Sequence, residues 1–278
     1  MSYHPTKRTT EGVARKHRLF FLHPGYIILL SWIPLAIGFF SGVELLLPLL
    51  ITIPSFFVMR HWISQGQVMT AYYEMLLSCL WMSVAFILLC HFFIDMSYDP
   101  VNIEDNVIFK GKEYVADMQV WIETGKGTEG TPSLFIREHL IHMGIIIAAA
   151  LLTGGFAALF FGAMQMGYMN FYVVWLIANS GGDPWAYYLA WPIWSVVRVF
   201  SFVLIAVVLA QPMLLIFRWR DIDVKRMFQL VAIAIVLEGI DIGLKTVIGP
   251  YNQSMLNPVV EKAQEATAWL ATTNFFPV

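Results

Sequence analysis

The sequence is poor in charge and lacks the motifs of the common enzyme classes. Only 13% of its 278 residues are charged, whereas soluble globular domains carry about 25%. The net charge of −2 gives no reason to expect a nucleic-acid partner. No Cys-x-x-Cys-His, His-Glu-x-x-His or nucleophile motif occurs, and the glycines around Lys126 lack the spacing of a phosphate-binding loop. We therefore expect no enzyme activity, no catalytic residue and no cofactor.

Cysteine is equally scarce. Cys79 and Cys90 stand eleven residues apart in one apolar segment, and a helix would separate them by about 16 Å, too far for a disulfide. We interpret them as core thiols. We also expect no cleaved signal peptide, because the basic N-terminus leads into a long apolar stretch that is typical of a retained membrane span.

Long apolar runs are abundant. Hydrophobic residues make up 58% of the chain and the mean hydropathy is +0.67, and about 20 apolar residues suffice for a helix to cross a bilayer. The runs occupy 20–41, 44–59, 70–94, 139–161, 164–179, 186–217 and 227–248. This pattern predicts an all-α, polytopic membrane helix bundle with about seven transmembrane helices. Whether the short segments 44–59 and 164–179 cross fully stays open.

Polar stretches divide the chain into five parts. These are a basic cytoplasmic tail (1–19), three transmembrane helices (20–94), a small acidic extracytoplasmic insert (95–138), a four-helix membrane block (139–250) and an extracytoplasmic tail (251–278). The insert is too short for a catalytic domain with its own core. In the tail we expect an interfacial helix from Pro258 to Leu270.

The basic residues indicate an orientation. Five Lys and Arg lie in 1–19, another is Arg60, and four lie in 218–226. Seven crossings with the N-terminus inside place all of these in the cytoplasm, in agreement with the positive-inside bias. We therefore expect a multi-pass protein of the plasma (inner) membrane with a cytoplasmic N-terminus and an extracytoplasmic C-terminus.

The last apolar run carries three charges at membrane depth. Glu238, Asp241 and Lys245 are spaced by three and four residues, which places them along one side of a helix. Each costs roughly 2.5–3.5 kcal/mol in a bilayer, so this side should face protein or water. Arg198, inside the preceding span, is the expected partner of Glu238 or Asp241, while Lys245 can pair with Asp241 or reach the interface. The charges are interpreted as a buried ion pair that fixes helix register, with an ion or proton pathway as the alternative.

Two glycines on the same helix form a Gly-x-x-x-Gly pair. Gly239 and Gly243 would allow a neighbouring helix to approach the backbone closely. We expect this packing inside the bundle, and homodimerisation is the alternative.

Three histidines could form a ligand cluster at the outer face. His139 and His142 begin one span, and His91 ends an earlier span at a similar predicted depth. Imidazole suits a metal or haem iron. Interfacial histidines are more often amphipathic anchors, so we predict no bound metal.

Four features of residues 136–252 form a pattern. A polar segment precedes four spans, the first two spans are glycine-rich (LLTGGFAALFFGAMQMGYMN), the third opens with WAYYLAWP before Arg198, and the last carries Glu238 and closes with Pro250. In these features the region resembles the membrane region of the stage II sporulation protein M family, with Arg198 near the place of a family carboxylate. The resemblance implies a non-enzymatic membrane component of a larger assembly. Members of that family act with cell-wall hydrolases in sporulating bacteria and accompany ATPases elsewhere.

Three functions are compatible with these features. The first is a non-catalytic integral membrane subunit or scaffold of a multiprotein assembly, in contact with lipid and with other membrane or extracytoplasmic proteins. The second is a permease-type transporter subunit working with a cytoplasmic ATPase. The third is a haem- or metal-binding redox subunit that uses the three histidines.

Overall fold

The structure is a computed structural model that describes residues 19–94, 108, 110–180, 183–216 and 222–273, with side chains as far as Glu261. Within these ranges the chain forms helices and turns and contains no strand. The predicted all-α class is therefore confirmed. Most of the stretch 95–109 lies outside the described residues, as does the basic tail 1–18.

Nine helices of six or more residues follow a short 3-10 helix, Phe20–Leu22, in the described chain. They are α1 (Pro24–Phe40), α2 (Leu46–Ser64), α3 (Val68–Phe93), α4 (Gly111–Thr124), α5 (Pro132–Thr153), α6 (Phe156–Ala178), α7 (Pro184–Leu189), α8 (Ile193–Leu214) and α9 (Val224–Thr273). A five-residue π-helical stretch, Ile28–Trp32, interrupts α1 just before Pro34. Such a stretch satisfies backbone groups that a proline in a membrane helix leaves free.

Five segments are long and apolar enough to cross a membrane. They are Leu46–Ser64, Val68–Phe93, Pro132–Thr153, Pro184–Leu214 and Val224–Glu261. Two further apolar helices differ in composition or length: α1 has only 17 residues between Pro24 and Phe40, and the mean hydropathy of α6 is lowered by Gln165, Asn170 and two tyrosines. The described chain is thus a membrane protein with five candidate spans, and the count of seven stays a prediction.

The sequence predicted the boundary between α5 and α6 near residues 161–164, but the structure places it about eight residues earlier. Both helices meet at Gly154 and Gly155, whose φ angles are +62° and +91°. Only glycine adopts this left-handed conformation without strain, and it commonly ends helices. Hydropathy does not change at these two residues, so the apolar pattern alone could not place the turn.

The last helix is longer than the sequence pattern suggested. Instead of ending near Pro250 and restarting at Pro258, α9 is continuous for 50 residues, a length of about 75 Å. Its C-terminal part does not lie alone at an interface, because Leu256 and Val260 are buried in one core with Trp121 and Ile122 of α4. This packing compensates for the backbone hydrogen bonds that the two prolines remove.

The bundle contains two apolar cores. One lies among α1, α2, α3, α4, α6, α8 and the far part of α9, and it includes Phe86, Trp175 and Leu176. The other joins α2 and α3 to α5, α8 and the near part of α9, and it includes Met59 and Ile205. Helix α8 lies against α5 and α9, so their facing sides can hold the charged residues described next.

Candidate functional site

Six ionisable side chains meet where α5, α8 and α9 face each other. They come from three helices and from the loop between α4 and α5, and they are His139, Arg198, Glu238, Asp241, Lys245 and Glu129. We call them the charged cluster. All three carboxylates and all three bases have a partner within it, so acids and bases are equal in number.

The central ion pair joins α8 to α9. Arg198 donates from Nε to Asp241 Oδ2 at 2.9 Å and from Nη2 to Oδ1 at 3.4 Å. This two-pronged geometry matches the planar guanidinium to the carboxylate. Asp241 is fully buried, and the Arg198 side chain is 20% exposed. The structure therefore brings together the two residues that the sequence suggested as partners.

His139 adds α5 to the same cluster. Its Nε2 contacts Glu238 Oε2 and lies 3.1 Å from Asp241 Oδ2. Both carboxylates point to one ring nitrogen because residues three apart lie on one side of a helix. His139 and Glu238 are each only 4% exposed. Glu238 uses one oxygen on His139, and its Oε1 is buried with no hydrogen-bond partner among the described residues.

Lys245 pairs with a residue that the sequence did not single out. Its Nζ contacts Glu129 Oε2 in the glycine-rich loop after α4, and it lies 4.5 Å from the centre of the Phe135 ring. The partner in the structure is thus Glu129 rather than Asp241, four residues away. Burial raises the pKa of Glu129, but the charges of Lys245 and Arg198 outweigh burial and lower that pKa.

Four members of the charged cluster, Glu129, His139, Arg198 and Lys245, line a polar cavity. This cavity has a volume of about 190 Å³, and its other walls include Tyr114, His142 and Tyr168. Burial, followed by the charge of Glu129, raises the pKa of Tyr114, so this phenol stays neutral and can donate a hydrogen bond. The cavity offers space and polar partners for several water molecules or a small polar ligand.

The surroundings of the polar cavity become mainly apolar beyond Arg198. On the far side of Arg198 and Gln165 lies a second cavity of about 80 Å³ whose walls are mainly apolar. The hydroxyls of Ser55 and Ser78 there lie 2.8 Å apart and bond to each other. Two of its few polar groups are therefore paired with each other, and the cavity offers little polar surface.

The three histidines that were considered as ligands do not form one cluster. His139 is buried, His142 is half-buried on the wall of the polar cavity, and His91 is exposed at the end of α3, outside that wall. The described structure therefore does not gather these three histidines into one group of ligand atoms. A different group has ligand atoms close enough for a metal ion: His139, Glu238 and Asp241, with one atom from each lying within 4.8 Å of the others.

The glycine pair on α9 does not mediate packing inside the described chain. A Cβ at Gly239 or Gly243 would meet no described atom within 4 Å. The expected close helix approach is therefore absent at these positions, because α8 packs against the charged side of α9 and not against this one.

A second buried carboxylate was missed from the sequence. Glu74 of α3 is fully buried and accepts hydrogen bonds from the backbone N–H of Phe20 at 2.5 Å and of Phe21 at 3.0 Å, and from Trp62 Nε1 at 3.2 Å. It fixes the segment before α1 against α2 and α3. The sequence does indicate this site, because Glu74 is the only Asp, Glu, Lys or Arg in the apolar span Val68–Phe93 and a lone carboxylate there needs buried partners.

Comparisons of the chain with models of known protein families, with curated proteins and with solved structures find no match. The resemblance to the stage II sporulation protein M family accordingly stays a prediction, and the function is inferred from the geometry described above.

Proposed function

We propose that the protein is a non-catalytic integral membrane subunit or scaffold of a multiprotein assembly. The observation that supports this is the internal pairing of the charged cluster, which ties α5, α8, α9 and the loop after α4 together. A buried pair of this kind fixes which helices meet and in which register. Permeation would instead require polar groups along a route through the bundle, and the cavity beyond Arg198 is lined mainly by apolar residues.

The shape of α9 supports a docking role. Its length of about 75 Å is more than twice the roughly 30 Å of a bilayer core, so part of it extends beyond the membrane. The part after Pro250 packs on α4, where Gln253 Nε2 donates to the carbonyl of Ile122 at 2.5 Å. Together α4 and this part of α9 form a layer at one end of the bundle, which we propose faces the partners.

The proposed topology has seven crossings. The five clear spans are joined by α1 and α6, which are apolar and pack within the bundle. The basic residues favour a cytoplasmic N-terminus and an extracytoplasmic C-terminus in the plasma (inner) membrane. In this arrangement the layer of α4 and the far part of α9 lies outside the cell, and the charged cluster lies near the outer surface.

The alternative is a permease-type subunit that works with a cytoplasmic ATPase. One observation favours it: the polar cavity of about 190 Å³ is lined by three bases of the charged cluster and by the acids Asp117, Glu129 and Glu138, a mixture of charges that suits a small polar solute. A haem or redox role has less support, because the three histidines do not meet.

Co-purification from native membranes tests the proposal. The protein would be extracted with a mild detergent, and its native mass, the stoichiometry of every co-purifying protein and the visible absorbance would be recorded. We expect a colourless complex with fixed stoichiometry. The control is an Arg198→Met variant, which breaks the cluster and should lose partners if the cluster shapes the docking layer. A single chain without stoichiometric partners would contradict the proposal, and solute-dependent association with an ATPase would favour the alternative.

A further inference from the structure

We propose that His139, Glu238 and Asp241 form a binding site for a divalent first-row transition-metal ion, such as Zn²⁺ or Mn²⁺. This goes beyond the proposed scaffold function, since a scaffold needs no metal. It also differs from the histidine cluster considered from the sequence, because two of the three ligands are carboxylates on α9.

The distances suit a shared ion. One ligand atom from each side chain lies within 4.8 Å of the other two, and His139 Nε2 is 3.1 Å from Asp241 Oδ2. Two atoms each about 2.1 Å from the same metal, at a bond angle near a right angle, are separated by about 3 Å. The contact between His139 Nε2 and Glu238 Oε2 is closer than this, so the Glu238 carboxylate would have to rotate away from the ring to share the ion.

The helices hold these ligands in place. Glu238 and Asp241 lie three residues apart on α9, and His139 faces them from α5. Carboxylates and a histidine that project inward from facing helices are a common way to build a metal site within a bundle. All three residues are at least nine-tenths buried, so little conformational freedom is lost when a metal binds.

An independent observation points to a cation. Glu238 Oε1 is buried and has no hydrogen-bond partner among the described residues, although the other oxygen of this carboxylate contacts His139. A buried acceptor without a partner costs about 1–3 kcal/mol, and more when it is charged. A cation bound by the Glu238 carboxylate would supply the partner that this oxygen lacks.

The surroundings provide an outer shell and a route of entry. Arg198 holds Asp241 by two hydrogen bonds, and such contacts orient metal-binding carboxylates. Of the three ligands, His139 lines the polar cavity, so the ion would enter past this ring and water from the cavity would complete its coordination. Three protein ligands leave at least one such position open.

The ligand types select the class of metal. An imidazole with two carboxylates suits Zn²⁺, Mn²⁺, Fe²⁺ or Co²⁺, whereas Mg²⁺ and Ca²⁺ favour oxygen ligands alone. Thiolate is not among the ligands, which disfavours Cu⁺. Zn²⁺ binds more tightly than Mn²⁺ to most sites, so Zn²⁺ is the suitable first probe.

The test uses the full chain in detergent, purified through a tag without histidines and freed of metal by a chelator. Zn²⁺ binding would be measured by elemental analysis after gel filtration, and Co²⁺ would be titrated while its visible absorption is recorded. We expect about one ion per chain. Glu238→Gln and His139→Ala should weaken binding at least tenfold, while Glu74→Gln, the same change at the buried carboxylate of α3 outside the charged cluster, should leave it unchanged.

Two outcomes would overturn the site. One is a wild-type chain that binds neither Zn²⁺ nor Co²⁺ stoichiometrically, a result that needs no variant to fold. The other is equal binding by wild type and Glu238→Gln, which would indicate adventitious binding elsewhere. Neither outcome changes the co-purification result, so the metal site and the scaffold function can fail separately.

Discussion

The pair of Arg198 and Asp241 allows the most quantitative prediction. At 2.9 Å and an effective dielectric constant near 20, two unit charges attract by roughly 6 kcal/mol before desolvation is subtracted. Removing one partner from a buried pair typically costs about 3–5 kcal/mol, since the other charge is stranded. Asp241→Leu leaves the guanidinium without its carboxylate, and because Arg198 is 20% exposed, we expect a loss near 3 kcal/mol.

The double variant separates a structural pair from independent contributions. Arg198→Met should also cost about 2–3 kcal/mol, because Asp241 is fully buried and keeps only His139. The combined variant has no stranded charge, and replacing a buried pair by apolar residues is often close to neutral. We therefore expect it to be at least 2 kcal/mol more stable than the sum of the single losses predicts.

The assay is denaturant-induced unfolding in mixed micelles, followed by tryptophan fluorescence in the presence of a chelator. As a control, Arg198→Met would be combined with Glu74→Gln at the separate carboxylate site, where losses should add within about 0.5 kcal/mol. If Arg198→Met and Asp241→Leu are equally additive, the pair does not stabilise the bundle as we argue.

Three further predictions concern other parts of the chain. Glu74→Gln should lower the free energy of unfolding by about 2 kcal/mol and expose the segment before α1 to limited proteolysis, because this carboxylate accepts three hydrogen bonds; unchanged digestion would contradict it. Gly155→Ala should cost about 1–3 kcal/mol, since its φ is +91° and a Cβ would lie 2.6 Å from a side-chain atom, whereas Gly162→Ala, with no atom within 4 Å, should be neutral or stabilising. The fold lowers the pKa of Glu129 from its usual 4.5, so its contact with Lys245 stabilises the protein fully above that value and progressively less as the pH falls through the lowered pKa. The stability difference between wild type and Glu129→Gln should therefore shrink below about pH 4.5. A difference that stays constant with pH would contradict this.

Periodicity in the sequence was sufficient to predict the charged side of α9. Three charges in an apolar run must share a protected side, and Arg198 was the nearest buried base. The contribution of His139 could not be predicted, because it lies 99 residues from Glu238 in the chain and only the packing of α5 against α8 and α9 brings them together. Glu129 was missed for a similar reason, since a loop acid carries no periodic signal.

The helix boundaries, like the charged cluster, could be predicted only in part from the sequence. The lengths of the apolar runs predicted the helices. The turn at Gly154 and Gly155 depends on backbone angles, which hydropathy values do not report. The prolines at 250 and 258 suggested an end to α9, and tertiary contacts with α4 overrode that local preference. The prediction that another helix packs on Gly239 and Gly243 did not hold inside the described chain. The spacing of the two glycines does not show which side of a helix its neighbour covers.

The most direct test of the proposed function is the native mass of the protein released from its own membranes into lipid nanodiscs. Our account predicts one dominant species, heavier than a single chain of 31.7 kDa, that contains a fixed number of partner proteins and loses them when Arg198→Met breaks the charged cluster. A species that contains only this chain, with the same mass in wild type and variant, would contradict the account.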